Sequence, residues 1–333
     1  MRKLVAQRLA SWVLALLLAL PLLLSPGARA QDYPTRPITL IVAFAPGGPS
    51  DTTGRVMAEA MGARLGQRIL VENVSGAGST IGSARVARAA PDGYTLLLNH
   101  LALPGGAALY ADLPYDTATA FAPIGLINYG PLVLIGRRDL PPADAAAALA
   151  WMKAQGERLN MGHSGIGSAV HLCSLMIQHR LGVPFNDIGY RGSAPALQDM
   201  LAGRVDMICD LSTTALAQVR GGNARAFAVT TRSRLAALPE VPTLAEAGFP
   251  GFELLLWNAI YAPAGTPRPI VEKLNAALRE SLADPALRRR LAEFGTEIFP
   301  EAEQTPEVAN ARLQAEIVAI RETVRAMGVP PQR

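Results

Sequence analysis

Two hydrophobic periods alternate along this chain. Ile38–Phe44 is a short, nearly continuous apolar run, as a strand buried on both faces requires. The turn Ala45-Pro46-Gly47-Gly48-Pro49 follows. The pattern then changes: Val56, Met57, Ala60, Met61 and Leu65 share one helical face, so a helix is predicted from Ser50 or Asp51 to a stop at Gly66. A second strand is predicted over Arg68–Glu72, a glycine-rich loop over Asn73–Thr80 and a helix over Ile81–Ala90. Pro91-Asp92-Gly93 turns into a third strand over Tyr94–Leu98. The cycle returns with a strand at Leu159–Met161, a loop at Gly162–Ser168 and a helix at Ala169–Arg180. Strands at Ile188–Tyr190 and Arg204–Asp210 flank a helix at Ala194–Leu201, and Ala224–Val229 is another strand. From Pro267 onward the period is helical, with Ile270, Leu274, Ala277 and Leu278 on one stripe.

Alternating strands and helices predict an α/β fold of mostly parallel sheets flanked by helices. One βα block precedes about residue 130 and one follows it, which predicts two lobes. Phe121–Val133 and Glu253–Ala262 are the candidate crossings. The expected division is residues 1–30 as a signal segment, 31–129 plus 252–333 as lobe 1, and 130–251 as lobe 2.

The first thirty residues read as an export signal. Arg2, Lys3 and Arg8 precede an apolar stretch from Trp12 to Leu24, and Ser25-Pro26-Gly27 leads to the small-residue site Ala28-Arg29-Ala30. The apolar run is shorter than the ~20 residues of a spanning helix, and no cysteine directly follows it to carry a lipid anchor. Cleavage before Gln31 and a periplasmic location are expected. Of 31 basic residues, Arg2, Lys3, Arg8 and Arg29 lie in this segment and no acid does, which leaves the rest balanced against 27 acids. The apparent basicity therefore gives no support to a nucleic-acid partner.

Cys173 and Cys209 are the two cysteines. An oxidising compartment permits one disulfide between them, worth ~3–4 kcal/mol for a loop of that size. Spacing alone does not bring their Cβ atoms within reach, and two separate buried thiols is the reading favoured here.

Three strand-to-helix loops are rich in glycine and hydroxyls: Phe44–Ser50, Ser75–Gly82 and Gly162–Ser168. Such loops present backbone N–H groups at helix N-termini, where an anion is favoured. Any one could be a tight connection; three together in an α/β chain point to a ligand cleft beyond the carboxyl ends of the strands. Other motifs fall short. Gly76-Ala77-Gly78 is followed by Gly82, one position beyond dinucleotide spacing. Gly162-His163-Ser164-Gly165-Ile166 lacks the final glycine of a nucleophile elbow, so a secreted hydrolase using Ser164 with His171 or His100 is a rival reading. His163, His171 and His179 do not make a zinc pattern, and no metal, cofactor or catalytic residue is expected.

At these loops the chain resembles the Bug receptors, the substrate-binding proteins of tripartite tricarboxylate transporters. The resemblance is carried by Tyr33-Pro34-Thr35-Arg36-Pro37-Ile38, Phe44-Ala45-Pro46-Gly47-Gly48 with Asp51, Val71-Glu72-Asn73, Gly76-Ala77-Gly78 and Ala90-Pro91-Asp92-Gly93-Tyr94-Thr95-Leu96. It continues through Leu113-Pro114-Tyr115-Asp116, Phe121-Ala122-Pro123-Ile124, Ser164-Gly165-Ile166-Gly167-Ser168, His171-Leu172, Tyr190-Arg191-Gly192, Gly203-Arg204-Val205-Asp206, Val241-Pro242-Thr243, Glu246-Ala247-Gly248 and Ala262-Pro263-Ala264-Gly265-Thr266-Pro267. It implies a two-lobed periplasmic binding fold with a cleft between the lobes, closing on a mono- or dicarboxylate. By matched position it implies ligand contacts from Phe44, Ala45, Gly47, Gly48, Ser50, Gly76 and Ala77 on one side. From the other side it implies Ser164, Gly165, Ile166, Gly167, Ser168, Tyr190 and Asp210. The implied partners are the small carboxylate and membrane transporter subunits, with a sensor kinase as the alternative recipient and the receptor itself monomeric. One segment departs from the family pattern. Asn99-His100-Leu101-Ala102-Leu103-Pro104 is bulkier and more apolar than the short polar loop expected there. Asn99, His100 and Leu101 are therefore specificity candidates, favouring a ligand with an apolar or aromatic body.

Overall fold

The structure, a computed structural model, describes residues 33–332, so the signal segment lies outside the described residues. Among the described residues, ten strands and ten α-helices follow one another. The first stretch is β1 (Ile38–Val42), α1 (Pro49–Leu65), β2 (Ile69–Asn73), α2 (Thr80–Ala87), β3 (Thr95–His100), α3 (Ala102–Leu109) and β4 (Phe121–Arg137). Next come α4 (Ala145–Gln155), β5 (Asn160–His163), α5 (Ala169–Leu181), β6 (Asn186–Gly189), α6 (Ser193–Leu201), β7 (Met207–Leu211), α7 (Ser212–Arg220) and β8 (Ala224–Val229). The last stretch is β9 (Leu255–Pro263), α8 (Arg268–Ala283), α9 (Pro285–Glu293), β10 (Glu297–Ile298) and α10 (Pro306–Ala326).

The strands form a mixed sheet in the order β2-β1-β3-β9-β4-β7-β5-β6, with β8 and β10 also paired to β4. β1 lies between β2 and β3 and is nearly all buried, whereas edge strand β2 alternates between half-buried and exposed residues. That contrast is why β1 reads as a continuous apolar run. The outer pairs β1–β2, β1–β3, β5–β6 and β5–β7 are parallel, as the βα pattern predicts. The middle is antiparallel, because β9 and β4 both run against their neighbours.

β4 is the element that joins the two sheet halves. Its residues from Phe121 to Pro131 pair with β9, and those from Leu132 to Arg137 pair with β7 and β8. It contains Pro123 and Pro131, which sequence rules confine to edges or bulges. The ladder does shift register between Pro123 and Gly125. Asn275 of α8 closes that irregularity, its side-chain amide donating to Ile124 O at 2.8 Å and to Gln304 O at 2.7 Å. The C-terminal helix α10 buries Ala309, Leu313, Ile317, Ile320 and Val324, one helical stripe, against α3 and β4.

Two expectations need correction. Asn99–Pro104 is not a loop: β3 continues to His100, pairing with Asn258 of β9, and α3 starts at Ala102. Pro104 sits in the first turn of α3, where its missing N–H has no intrahelical acceptor. The cysteines are not separate thiols. Cys173 of α5 and Cys209 of β7 form a disulfide, with Cα atoms 6.2 Å apart. Packing α5 directly on β7 brings together two residues that sequence separation keeps 36 apart.

Candidate functional site

In both sheet halves the parallel strands end on the same kind of loop. β1, β2 and β3 run into the N-termini of α1, α2 and α3; β5, β6 and β7 run into those of α5, α6 and α7. The predicted contact residues Phe44–Ser50, Gly76, Ala77, Ser164–Ser168, Tyr190 and Asp210 therefore all lie at or just beyond strand carboxyl ends.

In the first half, a carboxylate holds the Ala43–Gly48 loop. Asp51, in the first turn of α1 and almost fully buried, accepts from the Gly47 amide at 2.9 Å, from Arg55 at 3.0 Å and from the Asn73 side chain at 3.0 Å. Asn73, at the end of β2, also donates to Phe44 O at 3.0 Å. Burial alone would raise the Asp51 carboxyl, but Arg55, the Gly47 amide and Asn73 together hold it below the ordinary aspartate range. Gly47, with φ of 77°, supplies a left-handed turn.

The next loop is strained. Gly76, Ala77, Gly78 and Ser79 all have positive φ, at 133°, 45°, 58° and 91°. For Ala77 and Ser79 this costs about 1–2 kcal/mol each. Asn99 at the end of β3 supports the loop, donating to Ser79 Oγ at 3.1 Å and to Ser83 Oγ at 2.9 Å. Beside it, the buried His100 ring stacks on Phe44 with centroids 4.6 Å apart. Its Nδ1 accepts from the Ala102 amide at 3.1 Å, and burial pushes its pKa down to about 3. Leu101 instead lines a cavity of about 320 Å³ with Leu172, Met176, Arg312 and Glu316.

In the second half, imidazoles hold the loop. His163 Nδ1 accepts from the Gly165 amide and His171 Nδ1 from the Gly167 amide, each at 3.2 Å. Ser168 caps α5 by accepting from the His171 amide at 3.2 Å. Ser164 is buried, and its hydroxyl makes no hydrogen bond to an imidazole among the described residues, so the nucleophile–base pair of a hydrolase is not assembled. Tyr190 donates its hydroxyl to Asp199 at 2.7 Å, and burial together with that carboxylate raises the phenol to about 12. Asp210 is fully buried: Thr214 donates to its Oδ2, and burial raises the carboxyl against the opposing effect of Ser193 and Thr214.

The two sets of loops touch backbone to backbone. Ala45 N donates to Arg191 O at 3.1 Å. A Cβ built on Gly78 would stand 1.7 Å from Ile166 O, and one on Gly105 would stand 2.0 Å from Gly167 O. A Cβ on Gly192 would stand 2.9 Å from Ala45 N. Sequence reasoning did not single out Gly105 or Gly192 as contacts; the double glycine inside a helical stretch at Gly105-Gly106 was the available signal. It also missed the lock formed by Asp51 and Asn73, and the two histidine acceptors. Six of the expected contact residues turn out to have their amides committed within the chain: Ala45 and Gly47 on one side, Gly165, Gly167, Ser168 and Tyr190 on the other.

Comparison with known proteins agrees with this geometry. The family model described as the tripartite tricarboxylate transporter family receptor matches residues 53–324. The periplasmic binding protein BugD superposes with a TM-score of 0.88 at 40% identity, covering 90% of this chain and 100% of that one. MatC from Rhodopseudomonas palustris, solved with bound malate, gives 0.85 at 36% identity over 88% of this chain and 100% of its own. A further R. palustris protein, solved with adipate, gives 0.86 at 32% identity over 90% and 100%. These neighbours are binding proteins rather than enzymes, and their architecture is the two-lobed periplasmic binding fold. A chain whose strand-end loops meet in this way, and which matches that family over most of its length, belongs to the tripartite tricarboxylate transporter receptor family, the Bug group of periplasmic solute-binding proteins.

Proposed function

We propose that this receptor captures a small mono- or dicarboxylate in the periplasm, between lobe 1 (31–129 with 252–333) and lobe 2 (130–251), and delivers it to a membrane transporter. The observation that carries the reading is the meeting of two sets of glycine-rich loops, each opening a helix, at the carboxyl ends of the strands. An anion held there gains from backbone N–H groups and helix dipoles on both sides, which favours the closed arrangement. Of the amides expected from the sequence, those of Phe44, Gly48, Ser50, Gly76, Ala77, Ser164 and Ile166 are the candidate donors, since those of Ala45, Gly47, Gly165, Gly167, Ser168 and Tyr190 already have acceptors within the chain. The malate and adipate bound by two neighbours support a carboxylate. The Phe44–His100 stack offers an apolar wall beside the loops, which suits a ligand with an apolar or aromatic section.

Calorimetric titration with malate, adipate and an aromatic monocarboxylate, each beside its amide analogue, tests this. At least one acid should bind and its amide should not, because burying a carboxylate site without the anion leaves its donors unpaired. Equal binding of acid and amide, or binding of none while the folded protein is intact, would overturn it.

A further inference from the structure

Two of the chain's four histidines, His163 and His171, lie with ring centroids 4.4 Å apart beneath the Gly162–Ser168 loop. Both are buried. Each uses Nδ1 as an acceptor for a loop amide, at Gly165 and at Gly167. The residue between those two amides is Ile166, whose peptide lies against Gly78 of the opposite sheet half. We propose that His163 and His171 are positioning residues: by accepting the two flanking amides they fix the Ile166 peptide in the ligand loop, and they do so only as neutral Nε2–H tautomers. The inference rests on the reading of this loop as a ligand loop.

The chemistry follows from the imidazole. A neutral ring offers one lone pair, and the nitrogen that accepts must be the unprotonated one. Protonation at Nδ1 would set an N–H against an N–H at both loop amides. The surroundings oppose that charge. Burial lowers both histidines, and His163 lowers His171 further, to about 3. From β6, Asp187 faces His163 and acts in the other direction, but it is also engaged by Ser174 at 2.7 Å and by Gln178 at 2.6 Å. From β7 the ionisable side chain is Asp210, which accepts from Thr214. Helix α3, which approaches through Gly105, carries no ionisable side chain.

The test has a part that needs no ligand. Long-range ¹⁵N correlation spectra of the labelled wild-type protein at pH 7.5 should show both rings with an unprotonated Nδ1 and a protonated Nε2. The opposite tautomer at either ring overturns the proposal. Amide exchange should find Gly165 and Gly167 protected. His171→Phe, which removes the acceptor, should speed Gly167 exchange at least about tenfold, whereas His171→Asn, whose Oδ1 can stand near Nδ1, should stay within about threefold. With malate as the probe, His171→Phe should bind at least about tenfold more weakly and His171→Asn within about threefold, at unchanged circular dichroism. A Phe variant that binds malate like wild type, or keeps Gly167 protected, overturns the positioning role. If wild type does not bind malate, the choice of carboxylate has failed, and the tautomer and exchange results still decide the role of the histidines.

Discussion

The two loop clusters that face each other hold their backbones by different chemistry. In the first sheet half the lock is ionic: Asp51 takes the Gly47 amide while Arg55 and Asn73 hold its carboxylate in place. In the second it is neutral: two imidazole lone pairs take the amides of Gly165 and Gly167. A carboxylate held below its ordinary pKa keeps accepting through mild acid. An imidazole does so only while unprotonated. The same task, holding a glycine amide at a strand end, therefore has different acid tolerance on the two sides.

The largest expected effect lies where the clusters touch. Gly105→Ala places a methyl against the Gly167 carbonyl in a helix whose backbone tolerates alanine. It should weaken ligand binding at least about a thousandfold, about 4 kcal/mol, while the ligand-free protein melts near wild type. Retained affinity would show that the seam opens without cost. Acid should come next. The folded pKa of His100 and His171, about 3 against 6.5 when unfolded, means the unfolded chain takes up protons that the fold refuses. Stability from these groups is complete above pH 6.5 and declines as pH falls towards 3, by about 2 kcal/mol per histidine at pH 5. Asp210 offsets part of this, because its raised carboxyl is relieved by acid. Urea titrations at pH 7.5 and 5 measure the net change, and amide exchange at pH 5 sharpens the contrast: Gly165 and Gly167 should loosen while Gly47 stays protected.

The disulfide belongs to the second half alone, where it ties α5 to β7. Reducing it, or Cys173→Ser with Cys209→Ser, should lower unfolding free energy by about 3 kcal/mol in urea titrations. A loss near zero would mean that packing alone holds α5 in place. The smallest effect is expected at Arg55, whose side chain is 54% exposed. Arg55→Gln should change stability by under about 1 kcal/mol, because Asn73 and the Gly47 amide still serve Asp51. A larger loss would show that the ionic lock depends on its outer partner.

What could be read from sequence followed burial geometry. β1 was legible because both its faces are covered, and the three loops because glycine and serine mark strand-to-helix turns. β4 was legible only as a crossing. Its prolines and glycines are strand breakers elsewhere, and here Asn275 compensates for the bulge they make. The segment Ala102–Leu109 was hidden for a similar reason: Asn99–Pro104 reads as a loop and two glycines follow it, yet Pro104 falls where a first turn accepts it. The histidine and Asp51 contacts were out of reach, because an acceptor role depends on which ring nitrogen or carboxylate oxygen meets which amide, and that is settled only once strands β5 and β1 have placed their neighbours.

The seam glycines also bear on redesign. Gly78, Gly105 and Gly192 set the clearance between two facing peptide planes, and a single carbon atom at any of them exceeds it. A library that randomises the pocket to accept new cargo can vary Tyr190 or Ser164 while leaving the seam intact. If it varies the seam as well, most of its members will bind nothing, whatever their pockets look like.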